Sequence, residues 1–198
     1  MVANVAPVTV LGKSEKVIGG GLVALLSTAE FRDAYNWGAV TTDGEAGGLY
    51  GHINEFFPER SGIPYSSDLN EFIRNVYNAA PVNASKANPV GVSPKCPDEV
   101  YPDFTALVYY DSSYSREKSC EQIQTFLEDE TLQNFYVYTS PLSTKYMQSD
   151  DFVDLLNTSG NTAENSHIWK KSETYPVFDE EALGMSFSYE PNRRSEER

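Results

Sequence analysis

Two histidines, two cysteines and a surplus of carboxylates are the side chains through which this chain could do chemistry. His52 and His167 occur in no HxxxH or HExxH pair, and Cys96 and Cys120 in no CxxC pair, so the spacing offers no zinc site and no redox dithiol. A Ser, His and Asp triad needs proximity only in space. Asp111 would then be its carboxylate, because it directly follows an apolar run and strand ends are where α/β folds hold ligands. Ser115 to Lys118 (SREK) matches the SxxK pattern, but the companion SDN and KTG elements are absent and Ser115 reads as a helix N-cap. The glycine run VIGGGL lacks both GxxxxGK[ST] and GxGxxG spacing; it reads as a turn or as a place where another backbone packs closely.

The acids do not single out a site either. Glycoside hydrolysis needs two carboxylates at a set separation, and sequence cannot choose a pair among 29. Glu128 to Glu130 reads as a solvated helix end. Asp150, Asp151 and Asp154 read as acids at a helix N-terminus, and neither group follows the EF-hand pattern. Catalytic, cofactor and metal residues are therefore expected to be none. Asn83-Ala84-Ser85 and Asn157-Thr158-Ser159 fit the glycosylation sequon, which counts for little without a signal peptide.

Composition narrows the partners. The formal charge of -14 in 198 residues repels phosphate backbones, so nucleic acid and anionic membranes are disfavoured. The most apolar stretch, Val17 to Leu26, has about half the ~20 residues a bilayer-spanning helix needs, and its glycines weaken a signal-peptide reading. A soluble chain made in the cytoplasm is expected. Two cysteines make no disulfide scaffold, although a Cys96 to Cys120 bridge stays open.

The elements that would carry these residues follow from hydrophobic spacing. MVANVAPVTVLG suits an edge strand or an arm, and Ser27 with Glu30 resembles a capping box ahead of a short helix, FRDAYNW, stopped by Gly38. Thr41 to Gly48 reads as a flexible loop. A helix from Ser67 or Asp68 would align Leu69, Phe72, Ile73, Val76, Tyr77 and Ala80 until Pro81. The prolines from 81 to 102 suggest a rigid connector. Phe104 to Tyr110 reads as a strand, Arg116 to Asp129 as a helix with Cys120 on its apolar face, and Asn134 to Thr139 as a second strand. A further helix is predicted from Ser149 through DDFVDLLN, and strands at SHIWK and GMSFSYE. No internal repeat is apparent.

These elements predict an α/β or α+β fold: one domain at 27–190 with a central βαβ unit at about 103–139 in a small mixed sheet. An N-terminal arm or edge strand at 1–26 and a charged tail at 191–198 would flank it. The aromatic share of 13% suits protein interfaces, and Tyr109, Tyr110, Tyr114, Tyr136, Tyr138 and Tyr175 are the candidate interface residues. The expected function is a non-enzymatic structural or adaptor subunit of a large homo- or hetero-oligomeric assembly, such as a virus or phage particle (its tail or neck), with other protein subunits as partners. The alternatives are a small carbohydrate or ester hydrolase using Asp111 and a histidine, and a sugar-binding module using exposed tyrosines with Trp37 or Trp169.

Overall fold

A computed structural model describes residues 1–12, 17–26, 31–53, 73–91, 108–115, 120–126, 132–158 and 168–184, with Ile53, 120–126 and 132–138 described by backbone alone. It is built mostly of strands, with few helices, and its contacts divide it into two units, Met1–Met147 and Gln148–Arg198.

The first unit is a stack of coils in which each strand pairs in parallel with its counterpart in the next coil. The first coil holds β1 (Val2–Asn4), β2 (Val8–Val10), β3 (Ile18–Gly20) and β4 (Val23–Leu26). The second holds β5 (Phe31–Asn36), β6 (Val40–Thr42), β7 (Glu45–Gly47) and β8 (Tyr50–Ile53), and the third β9 (Ile73–Asn78), β10 (Val82–Asn83) and β11 (Lys86–Asn88). β12 (Val108–Asp111), β13 (Cys120–Phe126) and β14 (Leu132–Leu142) follow, then a single helical turn, α1 (Thr144–Met147). The largest sheet runs β1-β5-β9-β12-β14-β13, parallel except for the β13–β14 pair; the other sides of the stack are β2-β6-β10, β3-β7-β11 and β4-β8. Backbone bonds at the corners repeat from coil to coil: Trp37 N donates to Asn4 O and Ala79 N to Asn36 O, each at 2.8 Å.

The coils stack on like residues, so an internal repeat exists that the sequence reading missed. Val2 lies opposite Ala34, Ala34 opposite Val76, Val76 opposite Val108 and Val108 opposite Thr139, which are steps of 32, 42, 32 and 31 residues. A search for a fixed period fails on such steps. The motif is nevertheless visible once the coils are aligned: VANVAPV at 2–8, AYNWGAV at 34–40 and VYNAAPV at 76–82.

The helices expected at FRDAYNW and at 67–80 are strands β5 and β9 where they are described; 67–72 lie outside the described residues. The reason is a bulge. Asp33 and Asn75 adopt positive φ, 51° and 53°, a left-handed conformation that Asp and Asn tolerate best among residues with a side chain. That residue drops out of the ladder between Arg32–Arg74 and Ala34–Val76 and resets the alternation. Phe31 and Ala34, like Ile73 and Val76, therefore both join the core although three residues apart. A bulged strand thus copies the i, i+3 spacing of an amphipathic helix.

Other expectations change likewise. The loop at 41–48 contains β6 and β7, and the part of the proline-rich connector at 82–88 forms β10 and β11. β12 and β14 do pair in parallel, but the element between them is strand β13, antiparallel to β14, in place of the helix at 116–129. Ile123, Thr125 and Phe126 favour a strand, and Ile123 stands opposite Phe135 and Phe126 opposite Leu132, pairings that sheets favour. Cys120 accordingly lies on β13, and Ser115 precedes no described helix. Cys96, the remainder of the connector, GMSFSYE after Gly184 and the tail lie outside the described residues.

The interior is narrow. Leu49, Tyr50, Val90, Val108 and Tyr110 join the core residues above, and Phe31 meets Tyr50 edge to face at 6.1 Å. A Cβ on Gly21 would collide with the Gly48 carbonyl and the Asn36 carboxamide, and one on Gly48 with the Pro89 carbonyl and the Asn78 carboxamide, so glycine faces backbone and asparagine in successive coils. This is the close packing anticipated for the glycine run.

In the second unit, α2 (Asp150–Thr158) is the helix read from DDFVDLLN. It carries Asp150 and Asp151 in its first turn and buries Phe152 and Leu156. β15 (Trp169–Lys170) pairs antiparallel with β16 (Val177–Phe178). Asn157 clasps Trp169 through two 3.0 Å bonds, accepting from its N–H and donating to its carbonyl.

Two substitutions test the bulge. Asn75→Val should lower unfolding stability by roughly 1 to 2 kcal/mol, the cost of left-handed backbone for a side chain that cannot relieve it. Asn75→Gly should fall within about 0.5 kcal/mol of the parent, because glycine occupies that region readily. Urea denaturation of the two variants reads the difference.

Candidate interaction surface on the first coil

An asparagine stack leads to the surface with the most to offer a partner. Asn36 is fully buried and makes four bonds. Its Oδ1 accepts from Gly38 N at 3.1 Å and from Asn4 Nδ2 at 2.8 Å, and its Nδ2 donates to Gly38 O and to Asn78 Oδ1, each at 2.8 Å. Those four bonds match the two donors and two acceptor positions of a carboxamide. Asn78 Nδ2 in turn donates to Ala80 O at 2.8 Å. The next coil places Tyr110 in the Asn78 register, fully buried, and the ladder stops there.

At the other end the ladder is incomplete. Asn4 donates both N–H groups, to Ala6 O and to Asn36 Oδ1 at 2.8 Å each, while among the described residues its Oδ1 accepts only from Ala6 N at 3.1 Å. In the next coil the corresponding second acceptor position, on Asn36, is filled by the asparagine of the preceding coil. Around Asn4 stand residues of core type with half their shell missing. Val2 is 48% exposed, whereas Ala34, Val76 and Val108 at the same register are fully buried. Val5 and Leu11 are exposed too. Among the described residues no strand pairs with β1 on the side away from β5, nor with β2 on the side away from β6.

Proteins that stay monomeric blunt such edges with lysine or other charges. Here residues 1–12 and 17–26 contain no charged side chain, in a chain of net charge -14. Completing the burial of one such valine contributes about 1.5 kcal/mol or more.

The residues singled out for chemistry are not brought together. Asp111 is buried and holds a turn: its Oδ1 accepts from Ser113 N at 2.8 Å and from the Thr144 hydroxyl at 2.9 Å. His52 lies on β8, with Nε2 2.8 Å from Glu45 Oε2, while Lys86 Nζ reaches Glu45 Oε1 at 3.2 Å. His167 lies outside the described residues. A shallow hollow of about 120 Å³, lined by Ala80, Val82, Pro89, Tyr114 and Ser115 among others, includes neither Asp111 nor His52. Among the described residues no three His, Cys, Asp or Glu side chains gather as a metal site would require.

The candidate interface tyrosines divide. Tyr110 is in the core and Tyr109 is also buried, Tyr114 is exposed, and Tyr175 is half-buried in the second unit. Tyr136 and Tyr138 stand on β14, opposite Gln122 and Cys120. Trp37 is half-buried, packs on Tyr35 at 5.1 Å and donates its ring N–H to the Tyr77 hydroxyl at 3.0 Å, and Trp169 is buried on Phe178 at 4.6 Å. The first-coil edge was not read as a site because valine and alanine carry no chemical signature. Aligning VANVAPV with VYNAAPV is the signal that would have shown it.

No family model, no curated protein and no solved structure matches this chain. Among the described residues no helix is long and apolar enough to cross a membrane.

The Glu45 cluster supplies a pH test. The hydrogen bond from His52 holds the Glu45 carboxyl below its ordinary value of 4.5, Lys86 adds to this, and partial burial opposes it. A carboxyl whose pKa is depressed by folding stabilises the native state above its unfolded pKa, and that contribution disappears as pH falls through the folded value. Unfolding stability measured downward from pH 5 should therefore fall more steeply in the parent than in Glu45→Gln.

Proposed function

We propose that this chain is a non-enzymatic structural or adaptor subunit of a larger protein assembly, with the particle of a virus or phage, for instance its tail or neck, as the setting. The observation that carries this reading is the first coil: core-type residues left exposed on β1, a strand edge unpaired among the described residues, and no charged side chain in residues 1–12, the three in this coil being Lys13, Glu15 and Lys16 between β2 and β3. The body behind that edge suits a spacer. Each coil is tied to its neighbours by backbone ladders, by the carboxamide stack and by aromatic stacking such as Tyr35 on Tyr77 at 5.6 Å.

The net charge of -14 supports protein partners over nucleic acid, and it favours contact through the uncharged end over contact through the charged remainder. Recovery of the chain from its natural source under native conditions, followed by mass measurement, tests the reading. A particle of defined mass, with the chain in fixed stoichiometry to its neighbours, is expected. Recovery as a monodisperse monomer would overturn it.

A further inference from the structure

We propose that the face of the first coil, which no described strand covers, is completed by a strand from a different protein, laid parallel to β1 and carrying an asparagine opposite Asn4 that donates a side-chain N–H to Asn4 Oδ1. The inference rests on the assembly reading and names the partner's chemistry. It starts from the direction of the ladder. Asn4 donates to Asn36 and Asn36 to Asn78, so donors point toward the later coils and acceptors toward the first. Both N–H groups of Asn4 are engaged, and its remaining capacity is that of an acceptor.

That capacity selects among occupants. A second copy meeting this one edge to edge would bring another Asn4 with the same remaining acceptor and no N–H to give. A second copy stacked head to tail would have to present a ladder donor at its far end, where the asparagine column passes through Tyr110 to Pro141, which has no N–H to give. A partner that supplies a carboxamide donor of its own meets the need, and the neutral, valine-rich edge accepts its backbone in the manner of an added strand.

The chain itself indicates what such a strand resembles. VANVAPV at 2–8 is the near-repeat of VYNAAPV at 76–82, and the segment stacked on the first-coil side of the latter is AYNWGAV at 34–40, through Asn36. A strand of that type therefore fits the face of the first coil: an asparagine followed two residues later by glycine or alanine.

A synthetic peptide covering residues 31–42, capped at both ends, is the probe. Titrated into the full chain, it should bind one to one and slow amide hydrogen exchange across residues 2–10. The same peptide with alanine at the position of Asn36 should bind at least fivefold more weakly. Val2→Lys in the full chain, which places a charge on the exposed edge and leaves the ladder intact, should also weaken the parent peptide. The proposal is overturned if the peptide does not bind, if the alanine peptide binds as well as the parent, or if residues 2–10 are protected by self-association in the absence of peptide. A failed peptide with the chain still recovered in a large particle would remove this inference and leave the assembly reading standing. Recovery as a monomer would remove the assembly reading, whatever the peptide does.

Discussion

The first unit depends on one requirement: a carboxamide buried in a narrow stack must find four partners. Asn36 has no access to water, and each missing bond on a buried polar group costs about 1 to 3 kcal/mol. The requirement is met only when Asn4 and Asn78 hold the same register above and below, which fixes how three coils sit on one another. Apolar packing alone would not do so, because valine and alanine slide past each other at little cost. The ladder converts a generic hydrophobic stack into one with a single alignment.

From that alignment the neighbouring choices follow. Glycine stands at Gly21 and Gly48 because the backbone carbonyls of Gly48 and Pro89, with the carboxamides of Asn36 and Asn78, occupy the space a Cβ would need. Asp33 and Asn75 turn the strand so that Phe31 with Ala34, and Ile73 with Val76, enter the core ahead of the asparagines. Tyr35 and Tyr77 stack beside the ladder in the same register, 12° from coplanar. Backbone conformation, core composition and aromatic packing thus repeat together.

How much of this was legible in the sequence depends on which residues set the pattern. Helix α2 was readable from DDFVDLLN because its period is uninterrupted and its acids sit where the dipole favours them. The parallel pairing of β12 with β14 was expected from a crossover helix at 116–129, but strand β13 stands there where it is described, and of the strand read at 134–139 only Thr139 takes part in the pairing. β5 and β9 were not readable, since one left-handed residue in each shifts a period of two into spacings that a helix also produces. Nor was the first-coil edge, whose significance comes from the register it shares with the later coils. Asp111 drew attention as a strand-end carboxylate, but a short polar side chain that ends a strand is as well suited to closing a turn, and here it does so.

The coils differ in length at their corners while their paired strands keep register. Seven residues join β2 to β3, whereas two join β6 to β7, yet β3 and β7 still pair residue for residue. Alignment is therefore set within the strands, and the corners are free to vary. A chain built this way can gain or lose surface segments over evolutionary time without renegotiating its interior, so two descendants of one ancestor could keep the asparagine column and share little else along the sequence.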